Sequence, residues 1–252
     1  KNESQFYDNV EYGRYKLFSN PLIYELDTAD VKKGELGVEN VFLSGLAGLA
    51  LKSQNSKFRL YLLHLQNGEK KASILDVYSN DVGSEYSGFQ HNLEYNERSI
   101  TNILLDGKHN LGGGKWELIW KFSPTFSRIY DPDIRFTRYV YGSTPEDLEI
   151  NNESGSPTRI WRELTEQNYS GATHITRDLQ FLNDDAKFKF GGAYTYKERD
   201  FVIKPFTINV REGSEDFTTG NPNELFFDEN LWPKDNNPGL GTTFEQDFVE
   251  DN

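Results

Sequence analysis

The residues that could do chemistry in this chain do not assemble into a known catalytic motif. Gly112-Gly113-Gly114-Lys115 comes nearest to a phosphate-binding loop, but that loop needs glycine at position 109 and serine or threonine at position 116. The chain has His109 and Trp116 at those positions. The four histidines show neither an HExxH motif nor a pair at helical spacing, so a metal site built from them is not expected. We therefore expect no enzymatic activity and no cofactor.

Basic and aromatic side chains gather at two places where a ligand could be held. Arg135, Arg138 and Tyr139 follow the turn-forming Asp131-Pro132-Asp133, and Trp161 is preceded and followed closely by arginines. Guanidinium groups bind phosphate and carboxylate, and large rings offer apolar contact area. These side chains are therefore candidate ligand contacts. The alternative, which the pattern favours, is that they border the outer edge of a sheet that crosses a membrane.

Three further aromatic residues are candidate ligand contacts because they are expected on exposed loops. Tyr78 and Tyr86 lie in a hydrophilic stretch from about Gly68 to His91, and Trp232 lies in the last such stretch. Large rings supply contact area at small entropic cost. Packing of these rings on one another is equally possible. The neighbouring 235–239 segment combines carboxylate and amide oxygens, as calcium sites do. It lacks the regular spacing of acidic residues found in calcium-binding loops, so it is predicted to be a turn.

The charge of the chain argues against a nucleic-acid partner. The formal net charge is −13, whereas nucleic-acid affinity depends on Lys and Arg neutralising phosphates. From Glu212 to Asn252 there are eleven acidic residues and a single basic one, Lys234. We interpret residues 211–252 as an acidic, solvated loop or tail, separate from residues 1–210.

The composition limits how the chain could meet a membrane. The chain contains no cysteine, so disulfide bonds are not possible. Because it begins with Lys1 and not with methionine, we expect an excerpt or a processed protein. No apolar run reaches the 18 residues that a membrane-spanning helix requires. A tilted β-strand needs only about 9–11 residues to cross, because it shows lipid alternate side chains.

Two stretches show the period-two alternation of such strands. One runs from Trp116 to Tyr130 and the other follows the predicted third turn near residue 185. Their polar positions, including Lys121 and Lys189, are expected to face a wet lumen. Aromatic residues recur about ten positions apart, as in the two aromatic girdles of a membrane barrel. The residues predicted to face lipid are Trp116, Leu118, Trp120, Phe122 and Phe126 in the first stretch and Phe188, Phe190 and Tyr194 in the second.

The connections also alternate between short and long. Short turns are predicted at 54–56, 111–114 and 182–185, and long hydrophilic loops at about 68–91, 131–158 and from Pro205 onward. This arrangement predicts an all-β fold: six or seven antiparallel strands of a transmembrane β-barrel with short periplasmic turns and long extracellular loops. Six or seven strands cannot close around a lumen, and open edges in lipid are costly, so a larger barrel is expected.

Several segments, taken in order, resemble the barrel of the TonB-dependent outer-membrane receptors of the Bacteroidetes type. The resemblance covers about residues 6–210. No single segment is a catalytic signature, and the specificity lies in their order and spacing. They are Asp8-Asn9-Val10-Glu11-Tyr12-Gly13-Arg14-Tyr15, Leu43-Ser44-Gly45-Leu46-Ala47-Gly48, His64-Leu65-Gln66-Asn67-Gly68-Glu69, Asn92-Leu93-Glu94-Tyr95, Asp131-Pro132-Asp133-Ile134-Arg135 and Phe190-Gly191-Gly192-Ala193-Tyr194-Thr195-Tyr196-Lys197-Glu198-Arg199-Asp200.

The resemblance implies the middle portion of a 22-stranded barrel in the bacterial outer membrane that takes up an unidentified nutrient. It implies as partners the remainder of the barrel, a plug that contacts TonB, outer-membrane lipid and lipopolysaccharide, and a surface-exposed lipoprotein. The plug and the TonB box have no counterpart among the matched segments. Two alternatives stay open: a barrel that acts only as a scaffold in a surface complex, and a soluble β-sandwich that binds glycans.

Overall fold

The chain folds almost entirely into β-strands. The computed structural model describes residues 2–17, 26–80, 85–144, 147–150, 155–181, 184–211 and 219–246. None of these residues belongs to a helix long and apolar enough to span a lipid bilayer. The all-β prediction is confirmed. The strands are β1 (Asn2–Leu17), β2 (Leu26–Lys52), β3 (Ser56–Ser79), β4 (Tyr86–Leu111), β5 (Trp116–Tyr141), β6 (Leu148–Glu149), β7 (Thr158–Phe181), β8 (Asp184–Val210) and β9 (Thr242–Gln246).

These strands form a single antiparallel sheet. Its order is β1-β2-β3-β4-β5-β7-β8-β9, with β6 beside β5, so consecutive long strands are neighbours throughout. The antiparallel sheet with long strands is therefore confirmed. Within the described part of the chain the sheet stays open, with β1 at one edge and β8 and β9 at the other.

The strands extend further than the sequence pattern predicted. The stretch expected to be a loop from 68 to 91 continues β3 to Ser79 and starts β4 at Tyr86, and β5 continues to Tyr141. In these outer halves the strands pair residue by residue although polar side chains occur on both faces. Backbone N–H and C=O groups pair regardless of side-chain polarity, so the strands persist where the alternation ends.

The short connections lie at one end of the sheet, which we call the turn end; the opposite end is the loop end. At the β4–β5 turn, Gly112, Gly113 and Gly114 have φ of 59°, 69° and 91°, a region that glycine enters without a Cβ penalty. This glycine run therefore forms a hairpin turn. The predicted 182–185 turn falls partly outside the described residues, between Phe181 and Asp184.

Register divides the side chains between two faces. We call the face that carries Trp120 the apolar face and the face that carries Lys121 the polar face. Trp120 pairs with Gly107 on β4 and Thr173 on β7, and these lie on the same face. All eight residues predicted to face lipid lie on the apolar face, because β5 and β8 keep regular pairing with β7 from Trp116 to Phe126 and from Phe188 to Tyr194.

The acidic segment folds back onto the sheet. Residues 219–246 form three 3₁₀ turns, Glu224–Phe226, Asp228–Asn230 and Lys234–Asn236, followed by β9, which pairs with the end of β8. Leu225 and Ile208 are fully buried. The hydroxyl of Thr242 donates to the carbonyl oxygen of Leu225 at 2.8 Å. The described part of this segment is therefore packed against the strands instead of trailing away from them.

Candidate functional site: an apolar belt and a polar pocket

An exposed apolar belt crosses the turn-side half of the apolar face. It lies on six neighbouring strands. Its most exposed large members are Phe190, with 68% of its surface accessible, and Tyr194, with 73%. The belt consists of Leu43, Leu49 and Leu51 on β2, Phe58, Leu60 and Leu62 on β3, Leu105 and Leu111 on β4, Trp116, Leu118, Trp120, Phe122 and Phe126 on β5, Ile175 on β7, and Phe188, Phe190 and Tyr194 on β8.

An aromatic row borders the belt near the turns. Phe58 and His109 make an edge contact with ring centroids 5.0 Å apart. The indole N–H of Trp120 donates to Nε2 of His109 at 3.0 Å. The guanidinium of Arg177 lies 4.7 Å from the ring centroid of Trp116, a cation–π contact that brings charge to this border.

A second aromatic row borders the belt about ten residues away. Phe126 meets Tyr169 at 6.1 Å between ring centroids, and Tyr169 meets Tyr196 at 6.5 Å. The Tyr169 hydroxyl donates to Gln167 at 2.8 Å and that of Tyr196 to Glu198 at 3.5 Å. Each acceptor lies two residues from its tyrosine on the same strand, in the direction of the loop end. The rings therefore keep their apolar bodies on the belt and direct their hydroxyls to polar neighbours.

At the height of the belt, hydrogen bonds and an ion pair connect side chains of neighbouring strands on the polar face. The amide of Asn102 donates to Ser123 Oγ at 2.9 Å and to Thr125 Oγ1 at 2.7 Å. Arg59 and Asp106 form an ion pair at 2.8 Å across β3 and β4. The two faces of β5 and β8 thus differ sharply in polarity over the same height.

The difference in polarity between the two faces is smaller on β2, β3 and β4, where Ile100 and Leu104 of β4 also lie on the polar face. Leu46, Leu63 and Leu65 lie on the polar face there, because each alternates along its strand with belt residues. Leu46 is among the most exposed apolar residues of the described chain. The polar face is therefore not uniformly polar.

A concave pocket of about 510 Å³ lies on the polar face, in the loop-side half of β1 to β4. Its walls carry cations, carboxylates and neutral hydrogen-bonding groups together. The residues used below are Arg14, Asp30, Lys32, Ser73, Gln90 and Asn92.

Hydrogen bonds organise this pocket around Gln90. Its amide oxygen accepts from Lys32 Nζ at 3.2 Å and from Arg138 Nη2 at 2.9 Å. The Gln90 amide donates to Asn92, which in turn donates to Ser73 Oγ at 2.9 Å. Burial lowers the pKa of Lys32, and repulsion from Arg138 lowers it further. Lys32 and Arg138 thus bring two cationic groups together on one amide oxygen at this end of the pocket.

Two of the residues predicted to contact ligand meet at this cluster. Nη1 of Arg138 donates to the hydroxyl of Tyr86 at 3.1 Å, beside Gln90. Tyr86 is the first residue of β4, and Arg138 lies near the end of β5, so neither is on a loop.

Arg135 lies on the opposite face from Arg138, so the two arginines do not form one patch. With Arg159, it donates hydrogen bonds to Asp133 at 2.7 Å and 2.9 Å. Burial opposes ionisation of Asp133, but these bonds outweigh it and lower its pKa. Arg159 also lies over the ring of Phe226, at 4.6 Å from the centroid. Arg135 and its partners thus hold the 219–246 segment against the sheet.

Four other predicted contacts also lie away from the pocket. Tyr139 is 0% exposed beneath the 219–246 segment, and its burial raises its pKa. Trp161 makes an edge contact with Phe206 at 5.3 Å on the apolar face. Trp232 donates its indole N–H to the carbonyl oxygen of Pro238 at 3.2 Å. Tyr78 lies in β3, opposite Ser87 and Val31.

The central residues of the pocket could not be identified from the sequence. Lys32, Gln90 and Asn92 come from strands far apart in the chain, and none lies in a recognisable motif. Only the register brings them together, since Gln90 pairs with Leu75 and Arg138 while Lys32 pairs with Val77. The only signal in the sequence is that polar residues occupy even-numbered positions on both β2 and β4, which places them on one face.

The described residues contain no group of three or more His, Cys, Asp or Glu side chains that could hold a metal ion. The arrangement suits noncovalent binding of a polar solute on one face and contact with an apolar phase on the other. Comparison with models of known protein families found no match, and comparison with curated proteins found none either.

Proposed function

We propose that this chain is part of an outer-membrane β-barrel of the TonB-dependent receptor type, which takes up a small nutrient. The observation that carries the proposal is the exposed apolar belt, bordered by two aromatic rows and backed by a polar face. Hydrocarbon would cover the belt, and water would fill the space beside the polar face.

The height of the belt supports contact with a bilayer. Ten residue steps separate Trp116 from Phe126, which corresponds to about 33 Å along a strand. At the tilt of about 45° common to membrane-spanning strands, this becomes about 23 Å, close to the apolar band of about 25 Å in outer-membrane barrels.

The extent of the belt argues against a water-facing surface. Soluble monomers rarely expose contiguous apolar patches larger than a few hundred Å². The belt continues over six strands with many of its large side chains exposed. A soluble β-sandwich would need a second sheet on this face, and the described strands all belong to one sheet.

The open edges of the sheet suggest what surrounds it. Unpaired backbone groups in hydrocarbon cost several kcal/mol each, so further strands would pair with β1 and with the belt portion of β8. These strands, a plug that contacts TonB, the lipid and lipopolysaccharide of the outer membrane, and a surface lipoprotein are the partners that the proposal entails.

Cell fractionation combined with a TonB-dependence test examines the proposal. The protein is expected in the outer membrane, resistant to extraction by salt and alkaline carbonate. Deleting its gene is expected to abolish growth on at least one scarce nutrient, and restoring the gene should rescue growth only in cells with intact TonB. Rescue without TonB would favour a passive scaffold, and recovery from the soluble fraction would contradict the proposal.

A further inference from the structure

The pocket on the polar face concentrates positive charge around one neutral group. The amide oxygen of Gln90 accepts hydrogen bonds from both Lys32 and Arg138, and Arg14 lines the same pocket. Asp30 is the carboxylate that lowers the repulsion at Lys32, while Arg14 and Arg138 increase it. Among the described residues, Arg14, Lys32 and Arg138 thus lie close together at this end of the pocket, beside Asp30.

Neutral hydrogen-bonding groups continue from the cations along the pocket. Asn92 and Ser73 are joined at 2.9 Å beyond Gln90. Oδ1 of Asp30 is buried and has no hydrogen-bond partner among the described residues. A buried carboxylate oxygen without a donor is costly, so a bound hydroxyl or amine would relieve it.

The pocket therefore offers cations for one group and hydrogen-bond acceptors for others. We infer that it binds a small solute that carries one anionic group, a carboxylate or a phosphate, together with hydroxyl groups. The anionic group lies against Lys32 and Arg138, and a hydroxyl donates to Asp30. The pocket volume of about 510 Å³ falls within the range of about 300–1,000 Å³ typical of small-molecule sites. This inference rests on the proposed function, in which the polar face lines the entry path.

Binding of matched solutes to the native protein in detergent micelles tests the inference. Glucuronate and glucose 6-phosphate each add an anionic group to the glucose framework, so glucose is the neutral control. We expect calorimetry to show that at least one of the two anions binds at least about tenfold more tightly than glucose, because a charged hydrogen bond is lost without the anion. Which anion binds more tightly distinguishes a carboxylate solute from a phosphate solute.

Variants with matched charge changes locate the site. Lys32→Gln and Arg138→Gln are each expected to weaken binding of the preferred anion about tenfold and to leave glucose binding unchanged. Lys33→Gln is the control, because Lys33 follows Lys32 directly but lies on the other face, paired with Glu11 at 3.1 Å. It should bind as the native protein does. Unchanged tryptophan emission in all three variants shows that they are folded.

Equal affinity for the anions and glucose would overturn the inference, as would equal effects of Lys32→Gln and Lys33→Gln or the absence of any binding. The proposed function depends on a different result, the contact of the belt with lipid. If lipid contact of the belt is demonstrated but no anion preference is found, the pocket assignment is wrong and the barrel proposal stands.

Discussion

Phe190→Arg is expected to destabilise the membrane-inserted protein by about 2–4 kcal/mol, the cost of a basic side chain facing lipid near mid-depth. Phe190 lies within the belt, opposite Ile175, and 68% of its surface is accessible. In a water-facing sheet the same substitution at an exposed position would change stability by only about 0.5 kcal/mol. Reversible unfolding from lipid vesicles in denaturant measures the difference.

The control for this prediction is the neighbouring residue on the polar face. Lys189→Leu changes charge and size at the same depth but faces away from the belt, so it should change stability much less. Leu118→Arg and Lys121→Leu form a second pair with the same expected asymmetry on β5. Equal losses within either pair would show that the two faces have been assigned wrongly.

Arg162→Met is expected to destabilise the protein by about 3–5 kcal/mol, because it leaves a buried carboxylate without its cation. Asp131 is 1% exposed and is hydrogen-bonded by Arg162 and Asn96. It lies at the β-bulge in β5, where the pairing with β7 shifts between Asp131 and Ile134. Methionine keeps an unbranched apolar stem and removes the guanidinium with its charge and donors.

Arg128→Met provides the matched control for the ion pair. Arg128 binds Glu163 at 2.6 Å, across the same two strands, but both side chains are largely exposed. Exposed pairs contribute about 0–1 kcal/mol, so this variant should unfold almost as the native protein does. If equilibrium unfolding gives the two variants equal stability, Asp131 is solvated in solution and the bulge is not held by this pair.

The all-β fold and the antiparallel pairing of long strands could be predicted from the sequence because side-chain polarity alternates along two of the strands. Alternation on β5 and β8 reflects the difference between the two faces, and the structure confirms an antiparallel sheet there. The strand ends could not be predicted in the same way. Beyond the second aromatic row, polar residues occupy both faces and the 219–246 segment covers part of one, so periodicity disappears while pairing continues.

The candidate site was predicted less well, for a topological reason. Arg135 and Arg138 are three residues apart, and a period of two sends them to opposite faces. Tyr86 and Arg138 are 52 residues apart, yet their side chains meet at 3.1 Å. Composition marked such residues as able to bind ligands, but only strand register determines which of them share a pocket.

Bromine quenching of Trp120 measures directly whether lipid covers the belt. The native protein and the Trp120→Phe variant would be reconstituted into vesicles of lipids brominated on the acyl chains, and their tryptophan emission compared with that in unbrominated lipid. If lipid covers the belt, bromine quenches part of the native emission, and this quenched component is smaller in Trp120→Phe. Equal quenching of the two proteins, with Trp120 instead open to aqueous acrylamide, would contradict lipid contact of the belt.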